Sequence, residues 1–219
     1  MPIGLVGIPF YVTADGSPSY DSEKLIAYEA GYRVRPTDRL SFDVALFRND
    51  YDRLQTVEPL APIVVLTPLP YVVLPHSIQN LMGGTSTGGR FVANWQATER
   101  WQLRFQYSRL DLDLEHEPGS LDTSRISEQG NSPKNQAAVY SFVNLSNELE
   151  LYTGVRYVDE LPNFAIDSYV AVNAGLTWSP MDTLSASLSI ENLNDDGHVE
   201  FGAGKEIERS AFFRVRWGF

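Results

Sequence analysis

From Lys24 to the carboxyl end, hydrophobic and polar residues alternate with a period of two, the signature of half-buried β-strands. In "KLIAYEAGYRV", Ile26, Tyr28, Ala30, Tyr32 and Val34 share one face and Glu29, Gly31 and Arg33 the other. "WQLRFQYS" is cleaner: Trp101, Leu103, Phe105 and Tyr107 oppose Gln102, Arg104, Gln106 and Ser108. The pattern recurs in "RLSFDVALF", "RFVANWQA", "ELELYTGVRYV", "YVAVNAGLTW", "TLSASLSIEN" and the closing "RSAFFRVRWGF". In "NQAAVYSFVNL" both faces carry apolar groups, and no segment has a helical period of useful length. The expectation is an all-β chain, an antiparallel meander of about ten strands. They fall near 24–35, 39–52, 70–80, 86–98, 101–112, 134–145, 148–158, 168–179, 183–192 and 209–219. Segment 70–80 is the weakest of them because prolines dilute it.

The connections sort by length. "RPTDR", "ATER", "LSNE" and "SPMD" make short turns, whereas 113–133, 159–167 and 193–208 are longer and polar, and the two kinds alternate. A transmembrane barrel has this order, tight turns at one rim and loops at the other; a Greek-key sandwich has no reason to keep it. Trp95, Trp101, Trp178 and Trp217 cluster near the short-turn ends, as an aromatic girdle does. Glu29, Asp43, Arg104, Glu150, Arg156, Arg214 and Arg216 sit mid-strand on the polar face. That face would line a barrel's lumen, or be solvated in a soluble carbohydrate-binding β-sandwich. The pattern favours the barrel and leaves the sandwich open.

Composition narrows the choice little further. With 43% hydrophobic and 21% charged residues, the 219-residue chain folds rather than remaining disordered. A net charge of -11 argues against nucleic acid as a partner. There is no cysteine, so disulfides and thiolate metal sites are excluded. The most apolar run, "LAPIVVLTPLPYVVLP", is broken by four prolines and is no spanning helix. The opening "MPIGLVGIPFYVTADG" lacks a basic region and does not read as a signal peptide.

Candidate chemistry is sparse. The acidic "DLDLEHEPG" (111–119) could offer oxygens to a hard cation, but alternating Leu110, Leu112 and Leu114 read more simply as a projecting strand. "DDGH" (195–198) reads as an ordinary turn. "GGTSTGGR" (83–90) lacks the ending of a phosphate loop and reads as a glycine-rich turn between strands. His76, His116 and His198 have no nucleophile or oxyanion feature beside them. The expectation is no enzyme, no cofactor, and no catalytic or metal site.

Three stretches resemble the TonB-dependent outer-membrane receptors. "SEKLIAYEAGYRVRPTDRLSFDVALFRNDYDRL" (22–54) is similar to that family's strand–turn–strand, though Arg48 stands where an aromatic is usual. "SIENLNDDGHVEFG" (189–202) resembles its penultimate strand exit, and the final eleven residues its terminal strand. The resemblance implies that 22–219 is the carboxyl-terminal portion of a roughly 22-stranded transmembrane β-barrel that surrounds a plug. Residues 1–21 would be an irregular leader or external loop, and the chain would be a fragment lacking the plug domain. It further implies a Gram-negative outer-membrane location and energised uptake of a scarce large ligand, an iron-siderophore. The expected partners are outer-membrane lipid, the barrel-assembly machinery, and the plug and TonB complex of a complete receptor. Phe213, Val215, Trp217 and Phe219 would form the assembly signal, and Glu29, Arg104, Glu150, Arg156, Arg214 and Arg216 would face the lumen. A passive porin-like barrel is the alternative within the membrane class.

Overall fold

The computed structural model describes residues 8–202 and 204–218. Its long strands are β2 (Lys24–Thr37), β3 (Leu40–Pro59), β5 (Tyr71–Thr98), β6 (Trp101–His116), β7 (Asn135–Asn144), β8 (Leu149–Val158), β9 (Tyr169–Met181), β10 (Leu184–Glu191) and β13 (Ser210–Trp217). Shorter strands are β1 (Phe10–Gly16), β4 (Ile63–Val65), β11 (Gly197–Val199) and β12 (Glu206–Glu208). The main sheet runs β13-β10-β9-β8-β7-β6-β5-β3-β2, each strand beside its neighbour in sequence order, and β11 pairs with β12 as a separate hairpin. The antiparallel meander expected from the alternation is present. Among the described residues β13 pairs with β10 alone, as expected for a strand at the end of the order.

Two expectations need correction. Segments 70–80 and 86–98 are a single strand, the 28-residue β5, and "GGTSTGGR" runs through its middle instead of turning. These glycines answer crowding across the sheet. A Cβ on Gly84, whose φ is +155°, would lie 2.2 Å from the Asp113 carbonyl oxygen. One on Gly88 would meet the Arg109 carbonyl oxygen at 2.3 Å and the Phe47 ring at 2.6 Å. Glycine marks close backbone approach as well as turns, and here the approach decides. With that turn removed, short and long connections alternate without exception from β2 to β13.

The second correction concerns the region expected to be irregular, 1–21. Residues 10–16 form β1, which runs parallel to β5 in the register Phe10↔Val72 to Gly16↔Ile78. β4 pairs antiparallel with the same stretch, Ile63↔Val73 to Val65↔Tyr71. β5 extends far enough to offer ladder groups on both edges, and the long connection from β1 to β5 permits a parallel pairing.

The chain divides into two compact units. One comprises 1–27, 49–86 and 112–129; its small interior holds Met82, Leu114 and the fully buried Thr56. The other comprises 28–48, 87–111 and 130–219 and contains the β6-to-β13 meander. Its large apolar side chains lie open on one face, while a small residue on the other is covered. Ala171, on the face that carries Arg156, is 1% exposed, while Leu176 is 40%, Val215 56% and Trp217 77% exposed.

Candidate functional site: the polar wall and the strand exits

Pairing register builds one polar wall in the second unit. Arg214 and Arg216 oppose Ser187 and Ser185, and Ser187 opposes Thr177. Thr177 faces Glu150, which faces Asn144, while Arg156 lies between Ala171 and Ala138. Arg104 opposes Tyr140 and its Nε donates to the Asn94 Oδ1 at 2.8 Å; the Asn94 amide reaches the Ser41 hydroxyl at 3.4 Å. Asp43, two residues from Ser41, accepts from Arg33 at 2.6 Å, and Glu29 alternates onto the face of Arg33. All six residues expected on the lumen side therefore share one face.

Aromatic rings occupy this wall too. Tyr140 and Tyr152 stack at 6.3 Å, and Phe142 tilts against Tyr152 at 5.3 Å. Gly154 makes room for them: a Cβ there would lie 2.6 Å from the Tyr152 hydroxyl. At one end, the Arg156 guanidinium donates to Glu200 at 2.6 Å and lies 5.3 Å from the centre of the Tyr169 ring. The His198 ring tilts against Tyr169 at 4.4 Å, with Nε2 3.1 Å from Glu200. Sequence reasoning found Arg156 but missed Tyr169, His198 and Glu200, because the β11–β12 loop brings two of them back from some forty residues away.

The opposite face is an exposed apolar band: Phe105, Val139, Val155, Val170, Leu176, Leu188, Val215 and Trp217 are all exposed on it. On this face Trp178 lies beside Leu149 and Ala186, and Trp217 beside Leu184, making a belt toward the short turns. A second belt, of tyrosines, lies toward the long connections. Tyr107 donates to Asn135 at 2.7 Å and Tyr157 to Asp159 at 2.6 Å. Leu149 and Tyr157 are eight positions apart on β8, about 26 Å of strand at roughly 3.3 Å per residue. That matches the roughly 25 Å apolar height of outer-membrane barrels. Asp159 lies just past β8. The Tyr157 hydroxyl and the Asn135 amides hold its carboxyl below the usual range, although partial burial opposes them.

The two quoted motifs close strand irregularities. In the first unit, the Asn49 amide donates to the Ser86 hydroxyl at 3.0 Å, and Tyr51 shares that hydroxyl at 3.2 Å. Arg53 takes a left-handed φ of 57°; the Asn80 amide binds its carbonyl at 2.7 Å and Asp21 pairs with its guanidinium. In the second unit, Asn192 takes φ 53°, is nearly buried, and donates to the Ile207 carbonyl at 3.0 Å. Asn194 then completes the β9 ladder, accepting from Val172 N and donating to the Val170 carbonyl, both at 2.8 Å. Asparagine tolerates the left-handed region and mimics a peptide group, so it suits both tasks.

A carboxylate latch in the first unit was not legible in the sequence. Glu58 and Asp122 are 5% and 3% exposed. Glu58 accepts from the Ser120 hydroxyl at 2.7 Å and Leu121 N at 2.6 Å. Asp122 accepts from Val57 N at 2.8 Å and from Ser124 N and Oγ at 2.7 Å. Burial pushes both carboxyls up, but these donors outweigh it and both sit below their ordinary values. Together they pin 120–125 to the end of β3.

The family model described as "TonB dependent receptor-like, beta-barrel" matches residues 4–193. This chain belongs to that family. Solved receptors share the fold. The ferric-catecholate import receptor Fiu of E. coli K12 aligns at 17% identity over 91% of this chain, with a TM-score of 0.65. The siderophore receptor PiuA of Acinetobacter baumannii aligns at 20% over 90% with 0.66, and the FrpB iron transporter of Neisseria meningitidis at 14% over 93% with 0.71. The chain spans only 28%, 29% and 32% of those proteins, so what it matches is a portion of a TonB-dependent receptor barrel. No protein of curated function matches it in sequence. The family match includes residues 4–21, which lie outside the stretches that carry the resemblance, and stops before β13, which lies beside β10 all the same. Members are transporters and receptors rather than enzymes, as expected.

Proposed function

We propose that the chain forms wall and loops of an outer-membrane TonB-dependent receptor that takes up an iron-siderophore. In this reading the apolar band meets lipid, and Glu29, Arg104, Glu150, Arg156, Arg214 and Arg216 line the lumen around a plug domain. The TonB complex supplies the energy. Phe213, Val215, Trp217 and Phe219 are read by the barrel-assembly machinery; Phe219 itself lies outside the described residues.

The observation that carries the proposal is the two-faced sheet. Charged groups and tyrosines share one side, and a band of large apolar side chains is exposed on the other. Soluble monomers seldom expose a contiguous apolar patch above a few hundred Å². Deleting the gene in its own bacterium and supplying ferric siderophores singly under iron limitation tests the reading. Loss of growth on one of them, reproduced by deleting the TonB gene, is the expected result. Uptake that persists without TonB would instead indicate a passive pore.

A further inference from the structure

The apolar face of the second unit carries a furrow of about 330 Å³ along β5, between Val44 and Leu46 of β3 and Tyr107 of β6. It is complete within that unit. Gly89 forms its floor: a Cβ there would lie 2.6 Å from the Leu46 side chain, so the missing side chain leaves the space open. The end toward the middle of the band is aromatic, where Phe91 stacks on Phe42 at 5.9 Å and tilts against Phe105 at 5.8 Å. The end toward the long connections is cationic. Arg109 lines it, and Arg109 and Lys134, both more than half exposed, share Asp111 at 3.9 and 3.3 Å. Asp159, the other acid whose charge Arg109 meets, is taken up by the Tyr157 hydroxyl and the Asn135 amides. Among the described residues the Arg109 guanidinium makes no hydrogen bond. Polarity therefore runs one way along the furrow, from rings in the apolar band to cations level with the tyrosine belt.

We propose that the furrow holds one acyl chain of a phosphate-bearing membrane lipid, with the phosphate against Arg109 and Lys134. The inference rests on the reading of the apolar band as lipid-facing, with which the furrow is continuous, and adds to it one retained lipid among loosely held ones. Within a bilayer the hydrophobic effect does not favour one chain position over another, so packing and charge decide. A chain lying in the furrow meets protein on its floor and both walls, whereas one passing over the rest of the band meets it on one side, and dispersion adds up over those contacts. At the cationic end a guanidinium offers two parallel N–H donors to phosphate oxygens, and the lysine adds a point charge.

The test uses the full chain in detergent micelles, titrated with phosphatidylglycerol and, as the phosphate-free control, with a galactosyl diacylglycerol of the same chains. Native mass spectrometry counts the lipids retained. The first phosphatidylglycerol should bind at least fivefold more tightly than the second, and at least fivefold more tightly than the galactolipid. Arg109→Gln should erase the preference between the two lipids. Val44→Phe, which fills the furrow from a wall that faces outward, should remove the tight first equivalent of both. Leu188→Phe, on the same face but away from the furrow, should change neither. A series of equal binding steps, equal affinity for the two lipids, or an unaffected Arg109→Gln or Val44→Phe would each overturn the proposal. So would displacement of the lipid by glycerol phosphate at equal concentration, because the site would then serve a free phosphate. Failure of the lipid-facing reading looks different: the chain then stays monomeric in buffer without detergent.

Discussion

At the scale of single residues, the buried carboxylates Glu58 and Asp122 do work usually given to backbone pairing, since each closes loop N–H groups that burial would otherwise orphan. Replacing Asp122 by Ala leaves Val57 N, Ser124 N and the Ser124 hydroxyl without their acceptor; Ser124 is exposed and can turn to water, so the loss is about 1–3 kcal/mol for the half-buried Val57 N–H. Limited proteolysis should therefore cut within 117–125 much faster in Asp122→Ala than in the parent. The pH dependence follows from the lowered carboxyls. Because both are more acidic folded than unfolded, their contribution is complete above the unfolded values and fades as pH falls through the folded ones. Proteolytic protection of the loop should hold at neutral pH and vanish in acid below the ordinary carboxylate range; protection that weakens toward alkaline pH would contradict the latch. Asn192→Ala should also be costly, about 1–3 kcal/mol, as it strands the Ile207 carbonyl and leaves alanine at φ 53°.

At the scale of elements, the strands are defined by their two faces, and adjacent residues should respond oppositely to one charge. Leu176 is exposed in the apolar band and Thr177 faces Glu150 and Ser187. Leu176→Arg should lower folding stability in bilayers by roughly 2–4 kcal/mol if it lies near mid-membrane. Thr177→Arg, beside a carboxylate, should cost little. Denaturant titration in lipid vesicles separates them, and equal penalties would mean that the faces are misassigned. β5 carries a different constraint. Gly88→Val would thrust a branched side chain at the Arg109 carbonyl and the Phe47 ring, and backbone cannot yield as a flexible side chain does. Loss of the folded, protease-resistant form in Gly88→Val but not in Thr87→Val is the expected contrast.

At the scale of the molecule, the sheet order ends at β13 and β2, and among the described residues each of these end strands has a neighbour on one side only. Unpaired edges are untenable in hydrocarbon and invite association in water. The chain on its own should accordingly need detergent, and in buffer should sediment as aggregates. A monodisperse, detergent-free monomer would revive the soluble sandwich. A heat-resistant monomer in detergent would instead indicate that the two end strands meet in a small closed barrel.

The sequence by itself determined the fold class, the faces of the strands and the order of most of them, because period-two alternation and turn chemistry are local. Trp101 to Tyr107 and Val170 to Trp178 could be assigned to a side from their spacing alone, and the quoted motifs pointed to the family. Contacts across the sheet were decided only by tertiary structure. Gly84 and Gly88 looked like a turn because what forbids a Cβ there is the backbone of β6, more than twenty residues away. The irregular-looking 10–16 became a strand because β5 extends past its hairpin partners and leaves an edge free. The Glu58–Asp122 latch and the Arg156–Tyr169–Glu200 cluster join residues that nothing in their own neighbourhoods marks. Whether a carboxylate is solvated or buried among donors depends on the chain that folds back over it, a property no local pattern encodes.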